Sequence, residues 1–231
     1  MSGFAPYVPP EQLMKDRSDY ARKGIARGKS VVALEYLDGI LFLAENPSAT
    51  LHKISEIYDR IGFAGVGKYS EFEELRIAGV QHADGRGFIY GREDVRAKAL
   101  ANAYSQYLST VFTQANKPYE VEILVGELGE SDSSGNELYH VLFDGSVTDE
   151  HGYVGIGGHA EELTEFLKAA YAEGWDLATS VKQAVAALSA VEDREVPPAQ
   201  LEAAVIERER KGGRKFRRLS DTEIGSLLTS K

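Results

Sequence analysis

The segment Gly62-Phe63-Ala64-Gly65-Val66-Gly67-Lys68 has the G-x-x-x-x-G-K spacing of a phosphate-cradling loop. Such a loop wraps backbone N–H groups around phosphates and needs a Ser or Thr hydroxyl next in line to hold magnesium. Here the next residue is Tyr69, so the segment reads instead as a turn from strand to helix. Gly155-Ile156-Gly157-Gly158-His159-Ala160 matches the dinucleotide spacing G-x-G-x-x-A. That chemistry requires a second strand ending in an acid some twenty residues on, and the chain runs into another helix near Leu177. The five histidines, His52, His82, His140, His151 and His159, contain no i, i+4 pair of the kind that grips zinc. No G-x-S-x-G elbow is present, and carboxylates are too numerous for any pair to stand out. Local motifs therefore give no nucleophile, no cofactor and no metal.

The elements that would position any site follow from periodicity. The first nine residues carry Pro6 and Pro9 and no pattern, and are expected to form a mobile arm. Pro10 opens a helix that runs to about Arg27 and stops at Gly28. Val31–Leu34 and Ile40–Leu43 form a hairpin through Asp38-Gly39, followed by strands over 53–58 and 61–66. Helices are predicted over 69–82 and 95–115, the second with Leu100, Tyr104, Leu108 and Phe112 on one face. Strands return over 119–128, 138–143 and 153–156, with a turn at Asp144-Gly145. Helices over 159–172 and 177–191, a basic hairpin and a short helix over 221–228 complete the chain. Strands in blocks and helices in pairs point to two antiparallel sheets covered by helices.

With 231 residues, 43% of them hydrophobic and 27% charged, the chain has material for one large soluble domain. It has no cysteine, which fits a reducing, cytoplasmic setting. The apolar run at 40–44 is too short to span a bilayer, and Met1–Pro10 has no secretory signal. The net charge of −10 disfavours nucleic acid and membrane as partners. Residues 207–218 depart from it with a local charge of +5, leaving −15 elsewhere. The glycine pair Gly212-Gly213 suggests that this segment is a tight hairpin whose Lys and Arg residues guard a strand edge.

Tyr20-Ala21-Arg22-Lys23-Gly24-Ile25-Ala26-Arg27-Gly28 ahead of the first hairpin resembles α-type subunits of the 20S proteasome. Lys53-Ile54, Gly65-Val66-Gly67, Lys117-Pro118-Tyr119 and Gly155-Ile156-Gly157-Gly158 extend the resemblance along nearly the whole chain. The wording Arg-Lys-Gly-Ile-Ala-Arg and Ala44-Glu45-Asn46-Pro47-Ser48 is most similar to the actinobacterial branch. The resemblance implies a single α+β domain over residues 10–231, with residues 10–28 as a docking helix and 29–231 as a four-layer αββα sandwich of the Ntn-hydrolase type, and with 1–9 as a gate arm.

The function so implied is noncatalytic. Seven-membered outer rings would template β subunits, gate the passage of substrates and dock a ring-shaped AAA ATPase unfoldase or an ATP-independent activator through its C-terminal tail. Pupylated proteins would be the indirect substrates. In catalytic relatives a freed N-terminal Thr uses its own amine as base. Lys29-Ser30 occupies that stretch here, and Ser2, exposed if Met1 is removed, would sit on the arm. By the same resemblance Lys53 is the pocket lysine that pairs with the activator's terminal carboxylate, Gly67 lines the pocket with its backbone, and Arg22 stands near it. Phe4, Ala5, Pro6 and Tyr7 are the gate residues, in place of the Tyr-Asp-Arg pattern of archaeal and eukaryotic relatives. Two rival readings are a self-processing Ntn-type amidohydrolase or peptidase that frees an internal Ser or Thr, and a nucleotide-binding protein using Gly62–Lys68.

Overall fold

The computed structural model describes residues 9–130 and 135–230. Its elements are α1 (Pro10–Ile25), β1 (Val31–Tyr36), β2 (Gly39–Glu45), β3 (Ile54–Tyr58), β4 (Ile61–Gly67), α2 (Tyr69–Ile89), α3 (Ala97–Gln114), β5 (Val121–Glu127), β6 (Glu137–Val141), β7 (Val147–Glu150), β8 (Tyr153–Ile156), α4 (Ala160–Ala170), α5 (Leu177–Val191), β9 (Leu201–Glu207), β10 (Phe216–Leu219) and α6 (Asp221–Thr229). Two five-stranded sheets result, in the orders β10-β9-β2-β1-β8 and β3-β4-β5-β6-β7. Every pairing is antiparallel.

The layers follow from the strand sequences. In β1 and β2 both faces are buried, so these strands read as continuous apolar runs instead of alternating ones. Val31, Ala33, Ile40 and Phe42 point between the sheets, where they meet Ala64, Leu124 and Ile206. Val32, Leu34, Leu41 and Leu43 point outward and pack under Leu163, Leu167, Val181 and Leu188 of α4 and α5. The second sheet buries Phe63, Ile123 and Val125 under Phe72, Leu75, Leu100 and Leu108 of α2 and α3. Each such side chain contributes about 1.5–3 kcal/mol when fully buried. The expected αββα sandwich is the observed one.

Three sequence readings change. Helix α2 runs past His82 to Ile89 through several glycines. At one of them, Gly79, a Cβ would lie 1.8 Å from the Tyr104 hydroxyl, so this glycine is the gap into which α3 packs. Strand β7 has the sequence Val-Thr-Asp-Glu with only Glu150 partly covered, and an exposed edge strand of this kind leaves no periodic signal. Between β9 and β10 the chain makes a long loop over 208–215 instead of a two-residue turn. The register Phe216↔Ile206 and the bond from Glu207 N to Lys215 O close it, with Gly212 near the tip at φ 90°.

Candidate functional site

The candidate residues gather around the elbow that joins α1 to β1. Helix α1 closes one end of the sandwich with Ala21 and Ile25, both buried in the cluster between the sheets. Arg17 fixes it from one side: its Nε donates to Phe112 O at 2.7 Å, and its Nη2 to Ala115 O at 2.7 Å and Val111 O at 3.3 Å. These are carbonyls at the C-terminus of α3, where the negative end of the helix dipole lies, and Val111 O also accepts from Ala115 N. Lys117 fixes α1 from the other side. Its ammonium lies 5.4 Å from the centre of the Tyr20 ring, 2.8 Å from Glu71 and 2.9 Å from Glu120. The Lys117-Pro118-Tyr119 motif is thus an anchor for the helix.

Lys53 sits at the start of β3, half-buried, and its Nζ donates to the Lys29 carbonyl of the elbow at 2.5 Å. Burial drives its pKa down to about 8, against the opposing pull of Glu202 and Glu45. Glu202 on β9 sets the position of the lysine. One oxygen accepts from Lys53 N at 2.8 Å and Asn46 Nδ2 at 2.7 Å, the other from Ile54 N at 3.1 Å and Arg218 at 2.7 Å, with His52 Nδ1 at 3.3 Å. A carboxylate on one sheet therefore holds the first peptides of an edge strand on the other. Beside it, Lys29 bonds Glu192 at 2.6 Å and lies 3.5 Å from the buried Glu45, which also binds Arg194. Sequence reasoning missed Glu202, Glu45 and Glu192. In so acidic a chain nothing local marks a carboxylate 149 residues from the backbone it holds.

Gly67 ends β4 at φ 107°, in the left-handed region. A Cβ there would stand 1.9 Å from Glu120 O, and the Gly28 Cα packs so close that a Cβ on it would reach Gly67 N at 2.9 Å. Gly67→Ala is therefore expected to cost the fold about 3 kcal/mol or more, from positive-φ strain together with a backbone clash. Urea unfolding checks this, and an unchanged midpoint would refute it. Arg22 is exposed on α1 and makes no ion pair among the described residues. It lines a cavity of about 560 Å³ with Glu122, Asp144, Gly157, Gly158 and Glu161. Neither Lys53 nor Gly67 lines that cavity, so one chain does not bring the three residues into a common pocket. Phe4, Ala5, Pro6 and Tyr7 lie outside the described residues.

The rival chemistries find no geometry. Most of the phosphate-loop spacing lies in β4 and not in a turn: Ile61 to Gly67 pair in register with Glu127 to Val121, and Gly65 N donates to Lys53 O, so these amides face strands. The Ser30 hydroxyl is buried and has no hydrogen-bond partner among the described residues, and the nearby ammonium of Lys53 bonds a carbonyl instead. No group of three His, Asp or Glu residues among the described ones could hold a metal ion, and no helix among them is long and apolar enough to cross a membrane. The basic segment is largely occupied within the chain. Arg214 pairs with Glu56, Arg217 with Glu207 and Glu223, and Arg218 with Glu202. Lys215 Nζ donates to Arg208 O and Arg210 O. Of these, the Arg214–Glu56 pair fastens the loop between β9 and β10 onto the neighbouring sheet.

The family profile described as "Proteasome subunit" matches residues 25–206. The chain is 55% identical over 225 residues to a protein named "Proteasome subunit alpha" from Nocardioides sp., covering 96% of this chain and 88% of that one. It is 55% identical over 223 residues to the protein of that name from Thermomonospora curvata, covering 96% of each, and 52% identical over 228 residues to that from Streptomyces coelicolor, covering 97% and 89%.

Proposed function

The chain belongs to the proteasome subunit family, on its noncatalytic alpha side, and from that premise we propose that it forms rings which assemble with catalytic β subunits, gate them and dock an activator. In this reading seven copies make each outer ring, the arm carrying Phe4, Ala5, Pro6 and Tyr7 narrows the axial opening, and Lys53 receives the terminal carboxylate of a docking tail. The tail belongs to a ring-shaped ATPase unfoldase or to an ATP-independent activator, and the eventual substrates are tagged proteins, pupylated ones among them. The proposed setting is the cytoplasm.

The observation that supports docking best is the placement of Lys53. The lysine is half-buried as a residue, and its ammonium is held on a backbone carbonyl with no carboxylate among the described residues bonded to it. A carboxylate arriving from outside would replace a neutral acceptor with a charged one, and charge-assisted hydrogen bonds are about twice as strong as neutral ones. Arg22, lining a separate cavity, reaches the same tail only from a neighbouring copy. That division suits a pocket built between subunits.

Assembly with a catalytic β subunit tests the reading. Native mass spectrometry is expected to show stacked α and β rings, and chains lacking residues 2–9 are expected to raise short-peptide hydrolysis several-fold by opening the pore. A flat or lower rate would overturn the gate. Failure to form any mixed particle would overturn the reading as a whole.

A further inference from the structure

The elbow between α1 and β1 uses one residue twice. Lys29 gives its carbonyl to the Lys53 ammonium, while its own ammonium bonds Glu192 at 2.6 Å. Glu45 lies 3.5 Å from that ammonium, and its oxygen on this side, Oε2, is buried with no hydrogen-bond partner among the described residues. The ammonium is thus drawn off one carboxylate, 4% exposed, by a second that is 13% exposed, and 42% of the Lys29 side chain stays open to solvent. The bond to Glu192 raises the pKa of Lys29, so this cation remains charged where Lys53 titrates.

Glu192 stands where local chemistry disfavours it. It caps the C-terminus of α5, its N donating to Leu188 O at 3.1 Å, and the last turn of that helix holds no basic residue. A carboxylate there meets the negative pole of the helix dipole. The next residue, Asp193, takes φ 50°, a left-handed position usually given to glycine. Arg194 then turns back to bind Glu45, and its N donates to Ser189 O. Two acids at a helix C-terminus, one of them in strained backbone, break the usual rules for such an end, and breaches of this kind collect at functional sites. What the turn achieves is to set the Glu192 carboxylate on Lys29, close enough to Lys53 to act on its charge.

We infer that Glu192 is a built-in competitor of the docking tail: it occupies Lys29, the second ammonium open to an incoming carboxylate, and docking exchanges one carboxylate for the other. The inference rests on the docking reading above, in which that carboxylate goes to Lys53. The exchange needs only a short movement. Lys53 Nζ sits on the Lys29 carbonyl, and a lysine stem is long and flexible enough to fold its ammonium back beside its own carbonyl. The two oxygens of a carboxylate accept from two cations at once. Glu45 keeps Arg194 when Lys29 turns away, so no buried carboxylate loses its last cation there. Only a chain end carrying a free carboxylate can displace Glu192, and the contact thereby makes the site selective for a true C-terminus.

Peptide titration tests it. The probe is a labelled decapeptide matching the C-terminus of the unfoldase that drives degradation, made with a free carboxylate and as its carboxamide, and the receptor is the particle assembled with β subunits. Glu192→Gln is expected to bind the free carboxylate about three- to fivefold more tightly than the wild type, the range of a partly exposed ion pair, with the carboxamide unaffected. Lys29→Met is expected to weaken the free carboxylate by a similar factor, and adding Glu192→Gln to it should change nothing further. Glu192→Ala repeats the first measurement without an amide that could hold Lys29. Glu192 variants that bind no tighter than the wild type would overturn the inference, as would a gain of equal size that persists in Lys29→Met or extends to the carboxamide. These results leave docking itself standing where Lys53→Ala abolishes binding. Binding that survives Lys53→Ala would overturn docking and competition together.

Discussion

Particles built with Lys53→Ala chains are expected to lose unfoldase-driven degradation of a folded, tagged substrate by about thirtyfold or more. Truncating one partner of a desolvated charge pair costs about 2–5 kcal/mol, and 2 kcal/mol is already a factor of about 30. Several tails docking at once would multiply the effect. Short-peptide hydrolysis without activator should stay unchanged, which separates docking from assembly. Undiminished degradation would remove the docking role from Lys53. The pH dependence gives a second readout. Lys53 faces Lys29 at the elbow, Glu45 on β2, Glu192 after α5 and Glu202 on β9, and burial outweighs their combined field to bring its pKa down to about 8. Docking needs the ammonium, so affinity should hold near neutrality and fall as the pH rises through about 8. Lys53→Arg should flatten that fall, because a guanidinium does not titrate there. The fold responds with the opposite sign. Between about 8 and the unfolded value of 10.5 the unfolded chain binds the extra proton, so this lysine makes stability rise with pH across that window. Lys53→Ala should remove that slope without lowering stability at neutral pH.

Glu202→Ala should do what Lys53→Ala does not, and lower docking and stability together. The carboxylate holds Lys53 N, Ile54 N, Asn46 and Arg218 at once, with 9% of its side chain exposed. Its removal strands two backbone amides and leaves the Arg218 guanidinium with only Ile54 O, and breaking a buried charged network in this way costs about 3–5 kcal/mol. The expected result is a large fall in urea midpoint accompanied by weakened binding of an activator tail. A midpoint equal to that of the wild type would show that other groups hold the start of β3.

The parts of the fold that could be read from the chain are those with a local cause. Asp38-Gly39 and Asp144-Gly145 mark their turns, and α5 shows its full length because Asp176 caps it by accepting from Thr179 N at 2.7 Å. The extension of α2 was hidden because Gly85 and Gly87 interrupt its last turns, and Gly87 is where the Tyr58 hydroxyl packs, 2.2 Å from where a Cβ would stand. Gly212-Gly213 misled for the converse reason: the loop is held by side-chain bonds such as Arg214 to Glu56 and not by a tight turn. At the site, Lys53, Gly67 and Arg22 were legible only through resemblance. The carboxylates around Lys53 come from β2, the end of α5 and β9, and only tertiary structure brings them together.

The attachment of α1 has a mechanical consequence. Arg17 ties the helix to carbonyls 94 to 98 residues away in sequence, and Tyr20 rests against Lys117, so α1 is a bracket bolted to the body at two points. A pull or twist applied at Pro10 is delivered into the last turn of α3 and the start of β5, and only secondarily into the glycine-rich elbow beside Lys53. Lys53 is thereby insulated from strain arising in the chain that precedes the helix.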